Sequence, residues 1–156
     1  MPRELTAGDY RALAEFRYQI RRFLHFSESA ARSTGLNPQQ HQLLLALKGL
    51  PKGIEPNVGE LAQRLFVRHH SAVELTDRLT ERNLLRKRQS REDRRRVLLE
   101  ITAEGETILR KLSLIHRTQL RSLGTDLVKA LRKLQSYDSR SHEKSHSPKK
   151  ALKRIR

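Results

Sequence analysis

Residues 57–101 read NVGELAQRLFVRHHSAVELTDRLTERNLLRKRQSREDRRRVLLEI. Two helices and a ribbon can be read from this stretch. Asn57 is a favoured N-cap with Glu60 three residues on, and Leu61, Ala62 and Leu65 give the short helix that follows its apolar face. After a brief connection from Phe66 to His69, the apolar positions Ala72, Leu75, Thr76 and Leu79 recur at helical spacing and predict a second helix over 70–83. Asn83 suits a left-handed stop before Leu84. The period then changes to two. Val97, Leu99 and Ile101 alternate with Arg96, Leu98 and Glu100, as in a half-buried strand, and 84–89 supplies a partner across the polar turn Ser90-Arg91-Glu92-Asp93. Two helices joined by a tight connection have the dimensions of a helix-turn-helix. The hairpin behind them would be a wing with a basic tip.

Working outward, residues 8–33 read as one long helix with an apolar stripe through Leu13, Phe16, Ile20 and Phe23 or Leu24, stopped at Thr34-Gly35. Asn37, Pro38 and Gln40 form a sharp start for a helix over 38–49, with Leu43, Leu44, Leu47 and Leu50 inward. On the other side, Thr102 can cap a helix over 103–122 that places Ile108, Leu112 and Ile115 on one side. Gly124 is expected to interrupt it before a last helix at 125–135 with Leu127, Val128, Leu131 and Leu134. From Ser136 the composition turns to Ser, His, Lys and Arg, and 136–156 is expected to be a basic, disordered tail. The expected organisation is one domain over 8–135, in which 37–101 forms the winged-helix lobe and 8–34 and 103–135 are long terminal helices.

The charge is concentrated. The 156 residues carry 33 Lys and Arg against 17 Asp and Glu, a net +16. Segments 86–96 and 140–156 hold most of that excess, which points to a polyanionic partner. With no cysteine there is no disulfide framework, thiolate metal site or thiol sensor. No apolar run is long enough to span a membrane, and the tail lacks an amphipathic membrane pattern. The first residues lack the apolar core of a signal peptide, so the cytoplasm is the expected compartment.

The second helix of the pair begins with Arg68-His69-His70-Ser71, a donor-rich end that can meet base edges or phosphates in the major groove. Glu74 lies one turn further on and can accept from a cytosine amine or pair with Arg78. Ser71 is alternatively the helix N-cap, and His69 and His70 are alternatively capping histidines or metal ligands, although no cysteine would complete a zinc site. In the wing, Arg91, Arg94, Arg95 and Arg96 are either a DNA-contacting tip or a solvated charged turn, and Asp93 is at least a turn former. His25, His41, His116, Tyr18 and Phe26 are either pocket walls or plain packing.

Residues 93–105, DRRRVLLEITAEG, resemble the wing signature of the MarR family of bacterial transcription regulators. Glu60–Leu65 and Leu75–Arg86 are similar to that family as well, with Asn83 where a Gly is usual. The resemblance covers about 8–135. It implies a mainly α fold with one β-hairpin wing, a winged helix-turn-helix whose long terminal helices form a homodimer. It further implies a repressor bound to a pseudo-palindromic operator, with 70–83 as recognition helix. Arg95 would enter the minor groove, and Asp93 would orient wing arginines through a charge-assisted hydrogen bond. Leu13, Phe16, Ile20, Leu112, Ile115, Leu127 and Leu131 would then be dimer-interface residues. The implied partners are double-stranded DNA, a second copy of the chain, and a small aromatic or phenolic effector. No cofactor, metal or membrane partner is expected.

Against an enzyme, the chain has no paired acid and base, no Gly-rich phosphate loop and no nucleophile motif. A nonspecific architectural DNA-binding protein is the alternative. It would account for the charge, but it has no need of a helix pair ending in a wing.

Overall fold

The computed structural model describes residues 4–143, with side chains through Ser136. The order of elements is α1 (Ala7–Ser33), α2 (Pro38–Lys48), α3 (Val58–Leu65), α4 (His69–Glu81), β1 (Leu85–Gln89), β2 (Val97–Ile101) and α5 (Ala103–Glu143). This is a mainly helical winged-helix fold with one antiparallel hairpin, in which Leu85 pairs with Ile101 and Gln89 with Val97.

The helix starts follow from short polar side chains. Asn37 accepts from the Gln39 amide at 2.7 Å while Gln40 reaches back to the Asn37 amide at 2.9 Å, and Asn57 accepts from the Glu60 amide at 2.9 Å. At α1 the same reciprocity joins Thr6 and Asp9, a cap not foreseen in the sequence: both the amide and the hydroxyl of Thr6 donate to Asp9 at 2.7 Å.

Three helices end in one way. The amides of Gly35 and Leu36 close α1 onto Arg32 and Ala31. Those of Phe66 and Val67 close α3 onto Gln63 and Ala62, and those of Asn83 and Leu84 close α4 onto Thr80 and Leu79. Each pair is a Schellman closure, which requires a left-handed residue just past the helix. Gly35, Phe66 and Asn83 occupy it, at φ 75°, 53° and 55°.

The chain forms two compact units. In His25–Thr118, α2, α3, α4 and the hairpin enclose a leucine-rich core that includes Leu43, Leu44, Leu61, Leu79, Leu84 and Leu99. The hairpin is tied down at two points. The Leu99 amide donates to the Pro56 carbonyl at 2.7 Å. At the root, the Thr102 hydroxyl donates to the Asn83 carbonyl at 2.6 Å and accepts from the Gly105 amide at 3.1 Å. Gly105 is required there, because a Cβ would lie 2.2 Å from the Leu84 carbonyl oxygen. The other unit joins the chain up to Leu24 with the chain from Gln119 onward. Within it Ala12, Gln19, Leu123 and Ala130 are buried, and Arg22 lies 3.5 Å from Asp126.

Three expectations are corrected. Gly124 does not interrupt α5, which runs unbroken for 41 residues. A helical glycine costs about 1 kcal/mol against alanine, too little to stop a helix already formed on both sides. The same helix continues through 136–143, where a disordered tail was expected. That stretch holds neither Gly nor Pro, and propagation from an existing helix is favourable. The rest of the expected tail, 144–156, lies outside the described residues. Finally, Leu112 is 0% exposed in the core of 25–118, so it is filled by its own chain and has no surface to offer a second copy. Among the described residues no helix is long and apolar enough to cross a membrane, and no three His, Asp or Glu side chains converge as metal ligands.

Candidate nucleic-acid interface

α4 is held by one face. Ala72, Leu75, Thr76 and Leu79 are buried, and the Thr76 hydroxyl is satisfied by the Ala72 carbonyl at 2.7 Å. The other face begins at the helix start: Arg68, His69, His70 and Glu74 are exposed and Ser71 is half-buried. The N-cap is Arg68, in extended conformation and without a capping side chain, so Ser71 is the third helical residue and not the cap. Whereas α2 and α3 have their first amides covered by Asn37 and Asn57, α4 has no side-chain acceptor at its N-cap. No ion pair joins Glu74 to Arg78 among the described residues, and its carboxylate is exposed.

The hairpin divides its cations into two sets. Those on the strands are each held by a carboxylate. Arg86 donates to Glu100, its register partner across the ladder, at 2.9 Å, and Arg88 lies 3.9 Å from the same group. The Arg86 hydrogen bond keeps the Glu100 carboxyl below the usual carboxylate range. Lys87 pairs with Asp77 of α4. Arg96, the last loop residue before β2, is held as well and donates to Glu55 at 2.8 Å. The tip cations Arg91, Arg94 and Arg95 are exposed, and none has an ion-pair partner among the described residues.

The tip backbone is nevertheless ordered by Asp93. Its carboxylate accepts from the Arg95 amide at 2.9 Å, its carbonyl accepts from the Arg96 amide, and its side chain lies 3.8 Å from Arg96. Asp93 therefore orders Arg95 through the main chain; no hydrogen bond from the Arg95 guanidinium to it is found among the described residues. In the sequence, 86–96 is one basic run. Register alone separates out Arg86, because Glu100 stands opposite it, but the Glu55–Arg96 pair spans 41 residues and leaves no local signal.

The other singled-out residues lie elsewhere. Tyr18 and His25 are exposed on α1, whereas Phe26, His41 and His116 meet in the core of 25–118. Of the expected interface side chains, Leu13 and Leu131 are 43% and 41% exposed, and Phe16, Ile20, Ile115 and Leu127 are half-buried.

Comparison with known proteins places this geometry. Residues 34–96 match the MarR family model. Solved structures share this fold over about three quarters or more of the chain. AbsC from Streptomyces coelicolor, a MarR family transcriptional regulator, is 21% identical with a TM-score of 0.68, covering 93% of this chain and 100% of its own. The transcriptional repressor CouR bound to a 23-mer DNA duplex is 26% identical with a TM-score of 0.62, covering 88% and 99%. CouR from Rhodococcus jostii bound to p-coumaroyl-CoA is 23% identical with a TM-score of 0.57, covering 74% and 82%. A search of curated proteins gives no significant match. The MarR-like segment contains α2, α3, α4, β1 and the entire hairpin tip, so the match falls on the surface described above.

Proposed function

We propose that this MarR-like chain regulates transcription by sequence-specific binding of duplex DNA, as a homodimeric repressor rather than an enzyme. The observation that carries the reading is the division of the hairpin cations. Every strand cation is paired within the chain, while Arg91, Arg94 and Arg95 are left to an outside anion. They sit in the same unit as the exposed start of α4. Arg68, His69, His70, Ser71 and Glu74 would read base edges in the major groove, and the wing would follow the adjoining minor groove, where narrow width concentrates negative potential. A two-fold dimer would place its reading helices about 10 base pairs apart, on a pseudo-palindromic operator.

Dimerisation is supported by large apolar side chains left exposed on both terminal helices, among them Leu13, Leu24, Leu120, Val128 and Leu131. The DNA-bound and p-coumaroyl-CoA-bound forms of CouR support a duplex partner and a small aromatic or phenolic effector for this chain as well. An effector would act by favouring a conformation with lower operator affinity.

The test is selection of bound sequences from a random duplex pool, followed by comparison of the selected duplex with a scrambled one. At least a thousandfold preference, on the order expected of specific regulators, is the predicted result. Equal affinity would replace this reading with that of a nonspecific architectural protein. Sedimentation at micromolar concentration tests the dimer, and release of the selected duplex by phenolic acids or their thioesters tests the effector.

A further inference from the structure

Phe66 carries two costs at once. It occupies the left-handed position of the α3 closure, at φ 53° and ψ 39°, a conformation that glycine adopts freely and an aromatic residue rarely does. The backbone bonds from Phe66 to Gln63 and from Val67 to Ala62 impose that conformation, so the side chain has not chosen it. The ring is also 95% exposed, the most exposed large apolar side chain of the described residues. The two equivalent closures use Gly35 and Asn83, both suited to the position. A ring held out at the cost of strain, and buried against nothing in its own chain, calls for an external contact.

Its surroundings identify the contact. Phe66 stands three residues before α4, and its exposed neighbours in sequence are Gln63, Arg64, which is held by Glu60 at 2.7 Å, Arg68, His69 and His70. A protein-docking patch would have further apolar side chains around the ring. An isolated aromatic beside Arg68, unpaired among the described residues, and the donor-rich His69-His70 start of α4 fits a polyanion that also offers an apolar edge. Duplex DNA does so in the major groove, where the C5-methyl of thymine is the one apolar group on the base edges.

We propose that Phe66 is a specificity-determining residue, packing its ring against a thymine methyl at the edge of the site read by α4. This rests on the reading of the chain as a DNA-binding regulator, and the experiment separates the two. With a duplex selected by the wild-type chain, Phe66→Gly should raise the melting temperature by a few degrees. It should also weaken binding about fourfold, the worth of one buried methyl group. Replacing the contacted thymine by uracil should weaken the wild-type chain by the same factor and leave the variant unaffected. If Phe66→Gly binds as well as wild type, or if uracil at every thymine is neutral, the inference is overturned. Unchanged affinity together with an aromatic-dependent protein contact would assign the ring to another protein. If the wild-type chain enriches no sequence at all, the DNA reading itself fails, irrespective of Phe66.

Discussion

His41 of α2 and His116 of α5 stack in the core of 25–118 with ring centroids 4.9 Å apart and planes 10° from parallel. Phe26 packs edge-on to His116. His116 Nδ1 lies 2.7 Å from the Leu112 carbonyl, which can only accept, so Nδ1 donates there, and Nε2 lies 2.8 Å from the Ser27 hydroxyl. His41 is 2% exposed, and neither of its ring nitrogens finds a hydrogen-bond partner among the described residues.

Burial, and then the neighbouring charge of His116, lower the His41 pKa from 6.5 to about 4. The unfolded chain thus takes up a proton that the folded chain refuses. Stability is complete above pH 6.5 and declines as the pH falls toward 4, by a total of about 3 kcal/mol. Urea midpoints measured from pH 7.5 to 4 should show this slope in the wild-type chain and a shallower one in His41→Leu. Parallel slopes would remove His41 as their source.

Gly105 and Gly124 lie in the same helix and should respond oppositely to alanine. At Gly105 the new methyl meets the Leu84 carbonyl oxygen and Ile101 Cγ2 at 2.2 and 2.8 Å, and relief requires the hairpin root to move. Gly105→Ala should cost about 1–3 kcal/mol. At Gly124 nothing lies within 4 Å, and Gly124→Ala should stabilise by about 0.5–1 kcal/mol. Thermal melts of the two variants check both signs.

The two sets of hairpin arginines should separate in DNA titrations. Arg95→Ala should lose about 1–3 kcal/mol of affinity for the selected duplex. Arg86→Ala, whose guanidinium is already engaged by Glu100, should lose much less. Equal losses would mean that the intrachain pairs do not decide which cations reach DNA.

Removal of 144–156 deletes six Lys and Arg residues. Affinity should then fall by a similar factor for selected and scrambled duplexes, and the slope of log K against log salt should flatten. A loss confined to the selected duplex would show instead that these residues take part in sequence reading.

Much of the fold could be read from the sequence because local chemistry sets local boundaries. Asn37, Asn57, Thr102 and Asn83 mark helix ends by their own hydrogen bonds or backbone preference, and the apolar positions of α4 are the buried ones. Gly124 misled because a weak intrinsic penalty was overridden by continuous helix on both sides. The start of α4 lies within a residue of the expected one, but its cap leaves no sign in the sequence, because Arg68 caps by conformation alone, without a side-chain acceptor. At the candidate site, the exposed cations were visible as a run, but their division depends on Asp77, Glu55 and Glu100, which approach only after folding. The His41–His116 stack joins residues 75 positions apart, beyond any periodicity argument.

The wing is pinned at its root by the Thr102 hydroxyl and partway along by the bond from Leu99 to Pro56. The outermost loop, 90–96, lies beyond both ties and is held instead by the Asp93 turn and the Arg96–Glu55 pair. The arginine-bearing tip is therefore set by main-chain and ion-pair contacts of its own, so that on the proposed function a duplex would meet a preformed wing and would bear the cost of any misfit itself.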